Sequence, residues 1–204
     1  MSAHIALATI VEDFATCIKL ADAGRPQAVN IRSKEPFQAG IGPHSEAQVV
    51  KLVTDEMVVY QPQLYEGSVS IGVPYPESPR QKCDLCVGDP SEWKWAIEIK
   101  MLRFLGDNGK LNDNILMHIL SPYPEHRSAL TDCMKLSASS LSRSKAIVIY
   151  GFEHDMWPLE PAIEAFEILA QAKVGLSQRY STMFENLVHP IHARGKVFGW
   201  QLRP

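Results

Sequence analysis

The chain is short of several features that would narrow its class at once. No run of about 18 apolar residues occurs, so no membrane-spanning helix is expected. Its 204 residues hold four cysteines (Cys17, Cys83, Cys86 and Cys133), which do not make the disulfide framework of a small secreted domain. A strand–glycine-rich loop–helix cradle for phosphate is missing, and so is a G-x-S-x-G elbow, which removes the main support for ATPase and serine-hydrolase readings. There is no repeat, no low-complexity tract and no excess of positive charge. With 20 basic against 23 acidic residues, net charge −3, the chain does not read as one that coats nucleic acid passively. The first 20 residues lack a basic start and carry Glu12 and Asp13, so neither a signal peptide nor an anchor is expected, and the expected location is the cytoplasm.

What is present suits a globular α/β protein. The apolar content is 46%, and the length fits one domain over residues 1–204. Residues 4–22 predict an amphipathic helix with Leu7, Ile10, Phe14, Cys17 and Ala21 along one stripe, either covering a sheet face or forming a dimer seam. Residues 24–42 read as a loop. A second helix is expected over 44–59, opened by Ser45 with Gln48 three residues later, a capping-box arrangement. Residues 65–75 alternate as a strand, and the turn residues Gly88-Asp89-Pro90-Ser91 predict a hairpin between the two runs that follow. An insertion over 106–124 opens with turn chemistry and allows a short helix at 112–120. Then come a helix over 126–141, a strand over 146–152 buried on both faces, a helix over 159–174, and a hairpin over 187–202 turning at Arg194-Gly195-Lys196.

Asp84, Glu98 and Lys100 carry the chemistry. They are spaced as D-x13-E-x-K across the predicted hairpin. Strand side chains alternate, so Glu98 and Lys100 share one face while Ile97, Ile99 and Met101 take the other. Folding the hairpin would bring Asp84 beside them. Two carboxylates and an ammonium at one point on a sheet can hold a divalent cation through hard oxygens and leave the amine facing water. The charge alternation is local: the strand over 146–152 has none, which argues against a merely wet edge. Glu46 falls on the core stripe of its helix with Val49, Val50, Val53 and Met57, where a carboxylate is costly unless paired, although at the first turn it also complements the helix dipole. Asp132 and Lys135 read first as an i,i+3 ion pair. Cys83 and Cys86, with His189 and His192, invite a zinc site, but in an extended strand the two thiols point to opposite faces.

The D-x13-E-x-K pattern resembles the signature of the PD-(D/E)XK nucleases, the restriction-endonuclease-like superfamily, with Cys83 where the family name has proline. The resemblance implies a three-layer α/β core with a central mixed sheet in the order α-β-β-β-α-β, about residues 44–152, with extra N-terminal and C-terminal helices. It also implies a nuclease hydrolysing phosphodiester bonds of nucleic acid, DNA first among them. Mg2+ (or Mn2+) would be held by Asp84, Glu98, the carbonyl of Ile99 and Glu46, with Lys100 orienting the attacking water. Lys135, Arg103, Lys110 and Arg143 are candidates for substrate binding; Lys145, Arg194, Lys196 and Arg203 are further basic residues for a cleft rim. Replacing Asp84 or Lys100 by alanine is expected to abolish cleavage with stability near wild type. A homodimer is common where both strands are cut. The alternatives are a catalytically inactive module of this fold serving nucleic-acid or protein binding, and an unrelated α/β protein in which Asp84 and Glu98 lie far apart.

Overall fold

A computed structural model describes residues 5–203. The elements run α1 (Leu7–Ala23), α2 (Glu46–Tyr60), α3 (Pro62–Tyr65), β1 (Val69–Tyr75), β2 (Ser78–Asp89), β3 (Glu92–Arg103), α4 (Met117–Leu120), a 3-10 turn (Pro124–His126), α5 (Ala129–Ala138), β4 (Ser144–Phe152), α6 (Glu160–Gln171), β5 (Gly175–Leu176), β6 (Tyr180–Glu185) and β7 (Arg194–Arg203). The predicted start of α1 at residue 4 lies outside the described residues. Helix α2 starts where its capping box places it: Gln48 N–H donates to Ser45 Oγ, and Ser45 N–H donates to Gln48 Oε1.

Seven strands make one mixed sheet in the order β1-β2-β3-β4-β7-β5, with β6 also pairing β7. Strands β1, β2 and β3 form an antiparallel meander. The crossover through α5 then returns the chain so that β4 pairs β3 in parallel, from Trp95↔Ser144 to Arg103↔Phe152. β7 runs antiparallel to β4.

Alternation along the strands sorts the core into two layers. Leu85, Ile97, Ile99, Val148 and Tyr150 pack with Ile10, Phe14, Val53 and Met57 of α1 and α2. Ala96, Leu102, Ile147 and Ile149 pack with Leu130, Leu136, Ile163 and Phe166 of α5 and α6. The result is an α/β fold with helices on both faces of a mixed sheet. The stripe of α1 is buried within the chain against α2, β6 and β7, so it covers the sheet rather than standing free as a seam. Two buried carboxylates fasten it. Asp13 accepts from Tyr65 Oη and Gln61 Nε2, both at 2.6 Å, and Asp22 accepts from the N–H groups of Ile41 and Val188.

The predicted C-terminal hairpin is replaced by something else. Gly195 is not a turn residue. It sits inside β7, opposite Phe152 on one side and Phe184 on the other. A Cβ there would lie 1.9 Å from the Gly151 carbonyl oxygen and 2.5 Å from the Phe184 ring. Glycine is required by close approach, not by a bend. Gly195→Ala should therefore cost at least about 3 kcal/mol, because backbone rather than a movable side chain blocks the methyl group, and urea unfolding reads this directly.

The segment before β7 buries histidines. His189 and His192 are fully buried and stacked, with ring centroids 4.8 Å apart; His192 also packs on Phe152 and meets Asp107 at 3.1 Å. Burial first, then repulsion from His192 and Arg103, holds His189 below its ordinary 6.5 against the opposite pull of Asp107 and Asp22. The folded chain thus binds this proton less readily than the unfolded chain. The stabilising contribution is complete above pH 6.5 and disappears as the pH falls. Stability should drop between about pH 7.5 and about pH 5.5, and His189→Asn should drop less over that interval, since asparagine keeps an acceptor for the N–H groups of Ile191 and His192 but does not titrate.

Candidate active site

The β2–β3 ladder runs from Asp89↔Glu92 to Leu85↔Ile97. One residue further along, a side chain replaces the backbone partner: Ile99 N–H donates to Asp84 Oδ2 at 2.8 Å. The N–H and C=O of one extended residue point the same way, so the Ile99 carbonyl also faces the β2 side of β3. At this gap a cavity of about 1140 Å³ opens. Asp84, Glu98, Lys100 and Glu46 all line it, together with Asp132 and Lys135 of α5.

The charged groups form one chain of contacts. Lys100 Nζ lies 2.8 Å from Asp132 Oδ2 and 3.3 Å from Glu46 Oε1. The other oxygen of Glu46 accepts from Met101 N–H at 2.7 Å. Lys135 Nζ bridges Asp132 Oδ1 at 2.7 Å and Glu98 Oε1 at 2.8 Å, and lies 5.0 Å from the centroid of the Tyr75 ring. The Tyr75 hydroxyl donates to the same Glu98 oxygen. Glu98 is 1% exposed and Asp132 5%, so these are interior charges.

Their titration follows from that setting. Burial drives Glu98 well above 4.5, the charges of Asp84 and Asp132 push it further, and Lys135 only partly compensates. Desolvation also raises Glu46, with Lys100 opposing and Asp84 adding to the rise. For Lys100, burial pulls downward but Glu46, Asp132 and Asp84 outweigh it, so the ammonium is held above 10.5 and stays charged.

Asp132 and Tyr75 were undervalued by sequence. The Asp132–Lys135 contact is the i,i+3 pair expected of a helix, yet both partners also reach across to β3. Nothing in the spacing of Tyr75 marks it; only the β1–β2–β3 meander brings it to Glu98. The other candidates separate. Arg103 lines the cavity but donates to the Gly42 carbonyl and lies 3.9 Å from Asp107. Lys110 is exposed in the loop after β3 and does not line the cavity. Arg143 is exposed just before β4, whose start pairs with Trp95, away from the Glu98–Arg103 end of β3. Lys145 donates to the Ser137 carbonyl, Arg194 pairs with Asp155 and Lys196 with Glu160, and Arg203 lies against Gly175 on β5.

Cys83 and Cys86 do not point to opposite faces as a regular strand requires. Both are buried in the α5-side core, with Cys83 Sγ 3.3 Å from the Ile97 carbonyl oxygen. His192 packs on Phe152, which belongs to the other core layer, so the two halves of a zinc set do not meet.

Among the described residues, no three of His, Cys, Asp and Glu stand in a metal-coordinating arrangement. Ammonium and hydroxyl donors instead occupy the carboxylate oxygens. By donor type the cluster still suits a hard cation: it gathers four carboxyl groups against two ammoniums. Asp84, Glu98 and the Ile99 carbonyl could hold a divalent ion, with Glu46 beyond them. Compared with known proteins, the chain matches no family model, no curated protein and no solved structure.

Lys100 is structural as well as a candidate catalyst, which revises the expectation that its removal leaves stability unchanged. Lys100→Met would strand Asp132 and Glu46 without their shared partner. A loss of about 2–3 kcal/mol is expected, less than a deeper pair would give because the Glu46 side chain is 32% exposed; urea unfolding at neutral pH measures it.

Proposed function

We propose that this protein is a metal-dependent phosphodiesterase acting on nucleic acid, DNA first among its substrates, with the PD-(D/E)XK arrangement that its motif resembles. The observation that carries the reading is the convergence of Asp84 and Glu98, from adjacent strands, with Lys100 in one cleft. The order of elements supports it: α2, β1, β2, β3, α5 and β4 follow the helix–strand–strand–strand–helix–strand order that the resemblance implies, with only short helical turns between.

In this reading Asp84, Glu98 and the Ile99 carbonyl hold Mg2+ or Mn2+, with Glu46 taking part directly or through water. When bound, the ion supplies Lewis-acid polarisation of the phosphate and lowers the pKa of water. The chain supplies the rest. Lys100, kept charged by Glu46 and Asp132, orients the attacking water and offsets charge gathering on the phosphorus oxygens. Lys135 adds a second ammonium from α5, where phosphate oxygens can take it from Glu98. Tyr75 fixes Glu98 in one orientation through its hydroxyl. The products expected from the resemblance carry 5′-phosphate and 3′-hydroxyl ends.

Asp84→Asn keeps an acceptor for Ile99 N–H while weakening the cation's ligand set. Cleavage of labelled oligonucleotides with Mg2+ or Mn2+ should fall about 1000-fold, equivalent to about 4 kcal/mol in the barrier, with the melting temperature within a few degrees of wild type. Calorimetric titration with Mn2+ should show heat that disappears in Glu98→Gln. Unaltered cleavage by Asp84→Asn refutes the assignment; Mn2+ binding and oligonucleotide binding without any cleavage would instead favour the inactive binding module.

A further inference from the structure

Beside the candidate active site, the residues between α4 and α5 form a small braced loop. Ser128 Oγ donates to the Ser121 carbonyl, closing residues 121–128, and Ser121 Oγ lies 2.6 Å from His126 Nδ1 while accepting from Tyr123 N–H. Ser121 and Ser128 are buried, and Pro122 and Pro124 stiffen the chain between them. At the end of the 3-10 turn Arg127 adopts a left-handed conformation, φ 47°, uncommon for a side chain of this size. A conformation held this firmly presents its exposed residues in fixed positions. Those residues are Tyr123, 60% exposed with its ring edge-on to His126, and Arg127, exposed and lining the cleft.

The facing rim comes from the exposed first half of β2. Arg80 and Lys82 line the same cleft, and among the described residues no carboxylate pairs with Arg80, Lys82 or Arg127. Of the exposed acids nearby, Asp113 lines the cleft and Glu125 does not; Tyr123 stands just outside the lining, against His126, which belongs to it. Three unpaired cations against one exposed carboxylate, Asp113, thus rim a cleft whose floor is acidic. Such a rim attracts a polyanion, while an outward aromatic ring beside it offers a face on which a base can lie. Stacking of that kind needs a base whose own face is free. A duplex hides those faces; a single strand exposes them.

We infer that the cleft takes a single-stranded polynucleotide, with a base stacked on Tyr123 and neighbouring phosphates held by Arg127 on one rim and Arg80 and Lys82 on the other. This rests on the proposed nuclease reading for the phosphate at the centre of the cleft, but the grip itself is separable from cleavage. Fluorescence anisotropy tests it, with labelled twelve-residue oligo-dT, oligo-U and a duplex of equal length, and Ca2+ in place of Mg2+.

At least one single strand should bind about tenfold or more tighter than the duplex, and the dT and U arms show which sugar is preferred. Tyr123→Ala should weaken single-strand binding roughly 5- to 100-fold, with Tyr123→Phe restoring it. Arg127→Ala should reduce the slope of log affinity against log salt by about 0.7. Both residues are exposed, so melting temperatures should not move. A duplex bound as tightly as either strand, or wild-type affinity in Tyr123→Ala, overturns the inference. Tyr123-dependent binding without Asp84-dependent cleavage would remove the nuclease reading and leave the grip; cleavage with no single-strand preference would remove the grip alone.

Discussion

The ammonium of Lys100 is the point on which the candidate site depends. It stands between Asp132 of α5 and Glu46 at the head of α2, while its own strand lies in the middle of the sheet. Three elements distant in sequence are thereby tied through one charge. In an interior setting the attraction is strong because little water screens it, and the same setting makes any unpartnered member costly. Glu46 adds a backbone tie by accepting from Met101 N–H, so the head of α2 is fixed to β3 by both of its oxygens.

That arrangement explains why Glu98 and Glu46 hold their protons more tightly than free carboxylic acids do. Desolvation raises Glu98 and Glu46, and two lysines offset only part of the charge of four carboxylates. On the proposed reading, this surplus of hard oxygen donors is what a magnesium or manganese ion would meet. The cluster also carries a built-in competition. Lysine amines and a tyrosine hydroxyl occupy oxygens that a cation would need, so rearrangement of Lys135 and loading of the site are linked through Glu98.

The alternation of polar and apolar residues around Glu98 and Lys100 made β3 legible, and the capping box at Ser45 fixed the start of α2. Arg143 shows where that kind of reading ends. It looked like a rim residue because it lies close in sequence to a core strand, but strand direction puts the start of β4 beside Trp95 and not beside the cleft. Gly195 looked like a turn because glycine usually marks one, whereas here a neighbouring strand's carbonyl and a phenyl ring leave no room for a side chain. Strands β5 and β6 are short, and β6 pairs only with β7, so their existence depends on a partner further along the chain. The two thiols at 83 and 86 share one core layer although strict strand alternation would part them.

Local order was therefore written in the amino-acid string: which stretches coil into helices, which extend, and which charged side chains interrupt an apolar strand. These follow from periodicity, capping and residue type, all of which act over a few neighbours. The tertiary structure alone decided that Tyr75 reaches Glu98, that Asp132 serves two lysines, and that Arg127 lines the same cleft as Arg80, with Tyr123 beside it against His126. Those relations join residues tens of positions apart. They are set by how β2 parts from β3 and by where the α5 crossover lays its helix, and such long-range packing has no counterpart in any local pattern.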